Sequence, residues 1–245
     1  LMSFYYARQK NGPATVLLGI LMAGITITNA ALWAIIVWLG DPGSWRRRLL
    51  LLALGGAGFC LVVALLPVGE FFFANILFGG LGSAQSFRDQ FPPIEALVRI
   101  FFIFFGSTVF YLDTVQESPF GAYAGDALSF LPSASLPVVL AGLVWLGLLV
   151  YTVVRQRKNP LLWAPLGVLA CNLLLHGAIQ YGLKEGFLYS LHHWPAQVLI
   201  TALAVDPELP KGQRNVGEGL LWGFLLCELI FNLSGYQELL RFIMG

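Results

Sequence analysis

The polar residues best placed to do chemistry in this chain are concentrated between positions 172 and 193. Asn172, His176 and Gln180 are spaced four residues apart, so on an α-helix they form one polar stripe. All three histidines of the chain lie within eighteen residues, from His176 to His193. We predict that it lines an outward-facing polar cavity in which Glu185 is the candidate proton acceptor. The residues predicted to bind a ligand there are His176, Gln180, Tyr181, Lys184, Tyr189, His192, Glu228 and Asn232.

A second polar pair lies near the carboxyl end, where Glu228 and Asn232 are again four residues apart. A carboxylate facing lipid is costly, so we expect Glu228 to pair with an Asn, His or Arg inside a helix bundle. Two interpretations of all these polar groups stay open. They form either a water-filled site or a hydrogen-bond network that joins helices and is closed to water.

We predict no metal and no cofactor. His192 and His193 are adjacent, so on a helix their side chains point about 100° apart and cannot easily share one metal ion. A haem would need histidines that face each other from two helices, whereas His176 and His192 flank one short loop. The cysteines show no CxxC and no Cys/His spacing and are interpreted as small apolar residues inside helices. They are Cys60, Cys171 and Cys227.

The hydrophobic and charged content of the chain indicates the class of structure in which these polar residues lie. Of the 245 residues, 58% are hydrophobic and 11% are charged, and the mean hydropathy is +0.76. Soluble domains are about 45–50% apolar and about 25% charged. The net charge of +1 gives no basic field for nucleic acid. We therefore predict an all-α polytopic transmembrane helix bundle whose partners are membrane lipids and not nucleic acid.

Seven apolar segments are long enough for the ~20 residues that a spanning helix needs. Six spans remain if the sixth segment, which contains His192, His193 and Pro195, is only re-entrant. Residues 70–82 and 236–244 are predicted to be interfacial helices. The chain is predicted to be a single domain over residues 1–245, either complete or the carboxyl-terminal part of a longer chain. The seven segments are 13–40, 49–68, 94–112, 134–154, 160–181, 187–205 and 216–234.

The distribution of Lys and Arg predicts the orientation. With a cytoplasmic amino terminus and seven spans, nine of the fourteen basic residues fall in the cytoplasm and five outside. The run Arg46–Arg48 contradicts this pattern, because it falls outside. Either it binds anionic head groups at the outer leaflet, or the helix count is off by one.

Small residues predict where helices approach closely. Residues 55–58, with the sequence GGAG, form a smooth patch in the second span. Gly219 and Gly223 form a GxxxG pair in the last span. We expect both sets to pack within one bundle rather than at a dimer interface.

Two stretches carry a resemblance to a known family. One is residues 13–32, a helix with a Thr-Asn pair near its middle, and the other is residues 172–205 followed by a last span ending ELIFNLSGY. Together they resemble the carboxyl-terminal half of bacterial GT-C-type polytopic membrane glycosyltransferases and their uncharacterised relatives. In that group a helix–loop–helix reads roughly His…Tyr-Gly…Glu-x-Phe-Leu-Tyr-Ser…His-Trp. The matching positions are His176, Tyr181, Gly182, Glu185, Phe187, Leu188, Tyr189, Ser190, His192 or His193, and Trp194.

The resemblance implies an enzyme of the bacterial inner membrane that moves a sugar from a polyprenyl-phosphate donor on the non-cytoplasmic side. Such enzymes usually carry a catalytic carboxylate in a long first outer loop, and Asp41 is a poor match to it. The catalytic half would then precede Leu1, or the chain is a non-catalytic relative. Two alternatives stay open: a small-molecule or lipid transporter, and a structural or accessory subunit that binds partner membrane subunits.

Overall fold

The structure is a computed structural model that describes residues 1–25, 27–65, 91–106, 113–115, 127–129, 136–180 and 186–244. Spatial contacts between residues divide the chain into two compact units. The first unit consists of Leu1–Arg88 and Asn159–Leu174. The second unit consists of Asp89–Lys158 and Leu175–Gly245.

Helices dominate the described residues, which contain nine α-helices and two three-residue strands. Short π-helical turns, Phe102–Gly106 and Leu174–Ala178, follow the fifth and seventh helices, and a 3₁₀ turn, Leu203–Val205, follows the eighth. In chain order the elements are α1 (Met2–Arg8), α2 (Gly12–Ile25), α3 (Ile27–Gly40), α4 (Trp45–Leu65), α5 (Pro93–Phe101), β1 (Asp113–Val115), β2 (Ala127–Ser129), α6 (Leu136–Gln156), α7 (Trp163–Leu173), α8 (Gly186–Ala202) and α9 (Lys211–Met244).

The predicted helical class is confirmed, and the number of spans stays a prediction. Two helices among the described residues, Trp45–Leu65 and Val138–Gln156, are long and apolar enough to cross a membrane by length and composition. Shorter apolar helices cover Gly12–Ala23, Asn29–Gly40 and Trp163–Ala178. The two strands pair antiparallel, with Asp113 opposite Ser129.

The prediction of one spanning helix over residues 13–40 is wrong, because the structure has two helices, α2 and α3, that run antiparallel. The indole Nε1 of Trp33 in α3 donates a hydrogen bond to the Thr15 carbonyl in α2 at 2.9 Å. In one straight helix these two residues would be about 27 Å apart. The segment is therefore a helical hairpin, and each helix of 14 residues is only about 21 Å long.

Close packing in the first unit centres on the buried ring of Trp33, which lies against Gly19 of α2 and Gly55 of α4. The predicted role of the 55–58 patch is thus confirmed at Gly55. The same prediction finds no support at the GxxxG pair of the last span. A Cβ built on Gly219 or Gly223 would meet no atom of the described chain within 4 Å.

The second unit is organised around α6 and α9, which run antiparallel. The Tyr151 hydroxyl donates to the Gln213 carbonyl at 2.6 Å, and the rings of Trp145 and Phe224 lie 4.1 Å apart. Near the end of α6, Gln156 Nε2 donates to the carbonyl of Leu203, just after α8. The end of α6, the end of α8 and the beginning of α9 therefore lie together.

The two predicted interfacial helices have different outcomes. Residues 236–244 form no separate helix, because α9 continues without interruption from Lys211 to Met244. Continuous i to i−4 hydrogen bonding lets the amphipathic end extend the apolar helix. Residues 70–82 lie outside the described residues.

Candidate functional site

The predicted stripe of Asn172, His176 and Gln180 does not follow one regular α-helix. Asn172 lies in α7 and donates through Nδ2 to the Val168 carbonyl of its own helix at 2.9 Å. His176 lies in the π-helical turn Leu174–Ala178, and Gln180 follows with a left-handed backbone, φ 56°. A π-helical turn has more residues per turn than an α-helix, so the four-residue spacing no longer keeps side chains on one face.

Two histidines of the second unit meet on one aromatic ring. The imidazole of His193 in α8 stacks on Phe104, with centroids 4.1 Å apart and planes 15° apart. The imidazole of His176 meets the same ring edge-on at 6.3 Å. All three side chains are fully buried. The two imidazoles therefore share Phe104 as a common neighbour, although they come from different helical segments.

Gln197 joins this cluster to the backbone. Its Nε2 donates to the Phe104 carbonyl at 2.8 Å, and its Oε1 lies 3.4 Å from His193 Nδ1. A carbonyl only accepts, so the amide nitrogen must face Phe104 and the amide oxygen must face His193. This orientation places the imidazole proton on Nδ1. The opposite nitrogen, Nε2, is then a buried acceptor that has no hydrogen-bond partner among the described residues.

Both the oxygen and the nitrogen of the Gln180 side-chain amide form hydrogen bonds with the backbone of Phe91. The Phe91 amide donates to Gln180 Oε1 at 2.8 Å, and Gln180 Nε2 donates to the Phe91 carbonyl at 3.2 Å. This pairing mimics one rung of a β-ladder. It ties the chain just after the π-helical turn to Phe91, two residues before α5, so this side chain has a structural role.

Glu228 pairs with an Asn, as expected, but the partner lies on its own helix. Asn232 Nδ2 donates to Glu228 Oε2 at 3.0 Å, and both side chains are half-buried in α9. An i, i+4 pair of this kind lowers the cost of a carboxylate among apolar neighbours.

The remaining predicted site residues fall at or beyond the limits of the described chain. Tyr181, Lys184 and Glu185 lie outside the described residues, and Tyr189 lies in α8. His192 is half-buried in α8, whereas the adjacent His193 is fully buried, as their different directions on a helix predict. The outward-facing cavity stays a prediction.

Three residues of this cluster, His193, Gln197 and Phe104, were not among the predicted site residues. A signal was present, because His193, Gln197 and Thr201 repeat the spacing of four residues. Thr201 Oγ1 bonds only to carbonyls of its own helix, at 3.1 Å and 3.0 Å. Phe104 gave no signal, since an aromatic residue in an apolar segment is typical of any buried helix.

The cluster is suited to fixing helices, and it leaves one imidazole nitrogen, Nε2 of His193, as a hydrogen-bond acceptor. Among the residues that the structure describes, no group of three or more His, Cys, Asp or Glu side chains could hold a metal ion. Hydrogen bonds join His193, Gln197 and the Phe104 carbonyl, and His176 contacts this group through the Phe104 ring.

Comparisons with known proteins identify no relative. No protein-family model, no curated protein and no solved structure matches the chain. The resemblance to GT-C-type glycosyltransferases therefore stays a prediction.

Proposed function

We propose that this chain is a polytopic integral membrane protein of the bacterial inner membrane. The observation that carries the proposal is the apolar surface of its longest helices. Leu65 in α4 is 76% exposed and Trp222 in α9 is 71% exposed. Soluble monomers rarely expose contiguous apolar patches of this kind, whereas lipid tails solvate them. Further exposed apolar side chains on α4 and α9 are Leu50, Leu54, Leu61, Leu226, Ile230 and Leu233.

The orientation follows from the basic end of the second unit. The contacts of Gln156 and Tyr151 join the end of α6 to the beginning of α9, and five basic residues flank that junction. The positive-inside rule places this end in the cytoplasm. The basic residues are Arg155, Arg157, Lys158, Lys211 and Arg214.

The candidate catalytic segment then adjoins the non-cytoplasmic end of α8. This helix finishes at the basic end, and its 17 residues place Gly186 about 25 Å from there. Glu185 directly precedes Gly186 in the sequence. The position agrees with a site at the non-cytoplasmic face, where lipid-linked sugars are used by the family that the chain resembles.

The proposed reaction is transfer of a sugar from a polyprenyl-phosphate donor to an acceptor hydroxyl. The Glu185 carboxylate accepts the hydroxyl proton while the hydroxyl oxygen forms a bond to the anomeric carbon of the sugar. The bond between that carbon and the phosphate oxygen breaks, and the polyprenyl phosphate leaves with the electron pair. Lys184, Tyr189 and His192 hold the phosphate or the sugar hydroxyls.

A donor-consumption assay tests this proposal. The purified chain in lipid nanodiscs is incubated with polyprenyl-phosphate-linked hexoses, and donor loss is followed by chromatography. Glu185→Gln abolishes consumption and leaves donor binding and thermal stability unchanged, and His192→Ala abolishes activity at unchanged stability. The matched control is Glu208→Gln, an exposed carboxylate near the basic end. Equal activity of Glu185→Gln and the wild type would exclude Glu185 as the base.

A second candidate function is a non-catalytic subunit of a membrane complex. The observation that favours it is that polar residues of the predicted site are engaged within the chain, Gln180 by Phe91 and Glu228 by Asn232. This candidate predicts no donor consumption by the wild type. It also predicts that Gln180→Ala lowers stability without changing the binding of any donor.

A further inference from the structure

The guanidinium of Arg47 holds together both ends of the α2–α3 hairpin and the beginning of α4. Its Nε donates to Asp41 Oδ2 at 3.1 Å, and its Nη2 donates to the Lys10 carbonyl at 2.9 Å. Lys10 lies just before α2 and Asp41 just after α3. The beginning of α2, the end of α3 and the beginning of α4 therefore lie close together at one end of the hairpin.

The contact between Arg47 and the Lys10 carbonyl changes the predicted position of the basic residues near the amino terminus. A single first span would put them on opposite sides of the membrane. Arg8 and Lys10 were predicted to lie on one side of the membrane and Arg46–Arg48 on the other. Because Arg47 touches the Lys10 carbonyl, the two groups share one surface.

The shared surface carries an excess of positive charge. Asp41 is the only acidic residue of the sequence before position 66, and its buried carboxylate is occupied by Arg47 and by the Gly43 amide. Within the described chain, Arg46 and Arg48 have no carboxylate partner, and Arg48 Nε is buried without a hydrogen-bond partner. The basic residues gathered here are Arg8, Lys10, Arg46, Arg47 and Arg48.

The first residues of α4, which lie next to this surface, have the residue types typical of a membrane interface. Trp45 is exposed at the first residue of α4, and the guanidinium of Arg46 lies 5.7 Å from the centre of its ring. One turn further along, Leu49 and Leu50 are also exposed. Trp and Arg favour the head-group level, and exposed leucines favour the acyl chains beneath.

We propose that Arg46 and Arg48, supported by Arg8 and Lys10, bind the phosphates of anionic phospholipids at the surface where the hairpin both enters and leaves the bilayer. By the positive-inside rule this is the cytoplasmic surface. The hairpin is re-entrant, because its helices of about 21 Å are shorter than the ~30 Å hydrocarbon core. The inference rests on the membrane insertion proposed above and not on glycosyl transfer.

Sidedness is tested by cysteine labelling in a background in which Cys60, Cys171 and Cys227 are replaced by Ser. Gln9→Cys and Ser44→Cys place single thiols at exposed positions before and after the hairpin. A membrane-impermeant maleimide labels neither in intact cells and both in inverted vesicles. Labelling of the two positions from opposite sides would overturn the re-entrant hairpin.

Lipid selectivity is tested at the same Ser44→Cys position with an attached fluorophore. The full chain is reconstituted in phosphatidylcholine vesicles that contain either brominated phosphatidylglycerol or brominated phosphatidylcholine as quencher. We expect brominated phosphatidylglycerol to be locally enriched by about fivefold per arginine at low salt. Arg46→Gln/Arg48→Gln reduces the enrichment to that of phosphatidylcholine, and high salt weakens it.

The matched control is Arg155→Gln/Arg157→Gln, which removes the same charge at another basic end and leaves quenching at Ser44→Cys unchanged. Equal quenching by the two brominated lipids in the wild type would overturn the proposal. So would equal loss of selectivity in the control. Failure of either test leaves glycosyl transfer untouched, whereas absence of the chain from the membrane fraction would defeat the proposed function itself.

Discussion

The packing of Trp33 against α4 leads to a sharp prediction about two adjacent glycines. A Cβ added at Gly55 would lie 3.0 Å from Cζ2 and Cζ3 of the Trp33 ring and closer still to Cη2. A Cβ added at Gly56 would meet nothing within 4 Å. The Trp33 ring cannot turn away freely, because its Nε1 is bonded to the Thr15 carbonyl. Gly55→Ala therefore forces a shift in the core of the first unit, and Gly56→Ala does not.

The magnitude follows from two opposing effects. Replacing Gly by Ala inside a helix is favourable by up to about 1 kcal/mol, and this gain is the same at both positions. Overpacking a well-filled core costs about 1–3 kcal/mol. Gly55→Ala should therefore be less stable than Gly56→Ala by about 1–3 kcal/mol in the free energy of unfolding, since the helix propensity cancels. Gly56→Ala itself should be at least as stable as the wild type.

The assay is reversible unfolding of the purified chain in mixed micelles, followed by tryptophan fluorescence and checked by circular dichroism. A double-mutant cycle with Trp33→Phe isolates the contact, because Phe lacks the distal ring carbons that Gly55 faces. In that background Gly55→Ala should lose most of its cost. Equal stabilities of Gly55→Ala and Gly56→Ala, or an unchanged cost with Trp33→Phe, would refute the packing of Trp33 against α4.

Further predictions concern buried polar groups and are measured by the same unfolding assay. Gln197→Leu should lower the free energy of unfolding by about 1–3 kcal/mol, because it leaves the Phe104 carbonyl without its donor. Thr201→Val should change it by less than about 1 kcal/mol, since that hydroxyl bonds only to its own helix. A larger loss for Thr201→Val than for Gln197→Leu would contradict this assignment. Asp41→Asn should cost about 1.5–3 kcal/mol, because it removes the charge that accepts from Arg47, and an unchanged stability would show that this ion pair contributes nothing.

Long apolar segments were predictable from the sequence because hydrophobicity alone sets them. The segment predicted over 134–154 appears as α6, Leu136–Gln156, displaced by only two residues at each end. The last segment is found within α9. In both cases one uninterrupted run of apolar residues fits one helix, so length and composition were sufficient.

The candidate site was predictable only in part. Local spacing located the histidines and the Glu228–Asn232 pair, because i, i+4 neighbours meet on any α-helix. The spacing rule failed from Leu174 to Ala178, where a π-helical turn changes the number of residues per turn. Nothing local in the sequence reveals such a turn.

By itself, the sequence determined the helical class, the apolar character of the helices and the polarity of the stretch from 172 to 193. Only the tertiary structure decided that residues 12–40 fold back as a hairpin and that His193, rather than His192, is buried against Phe104. The physical reason is the same in both cases. The local sequence of an apolar segment does not show where the chain turns back. The burial of a side chain depends on residues that are distant in the sequence. Gln197 and Phe104 lie 93 residues apart, and Thr15 and Trp33 meet across two helices, so these contacts were beyond any local pattern.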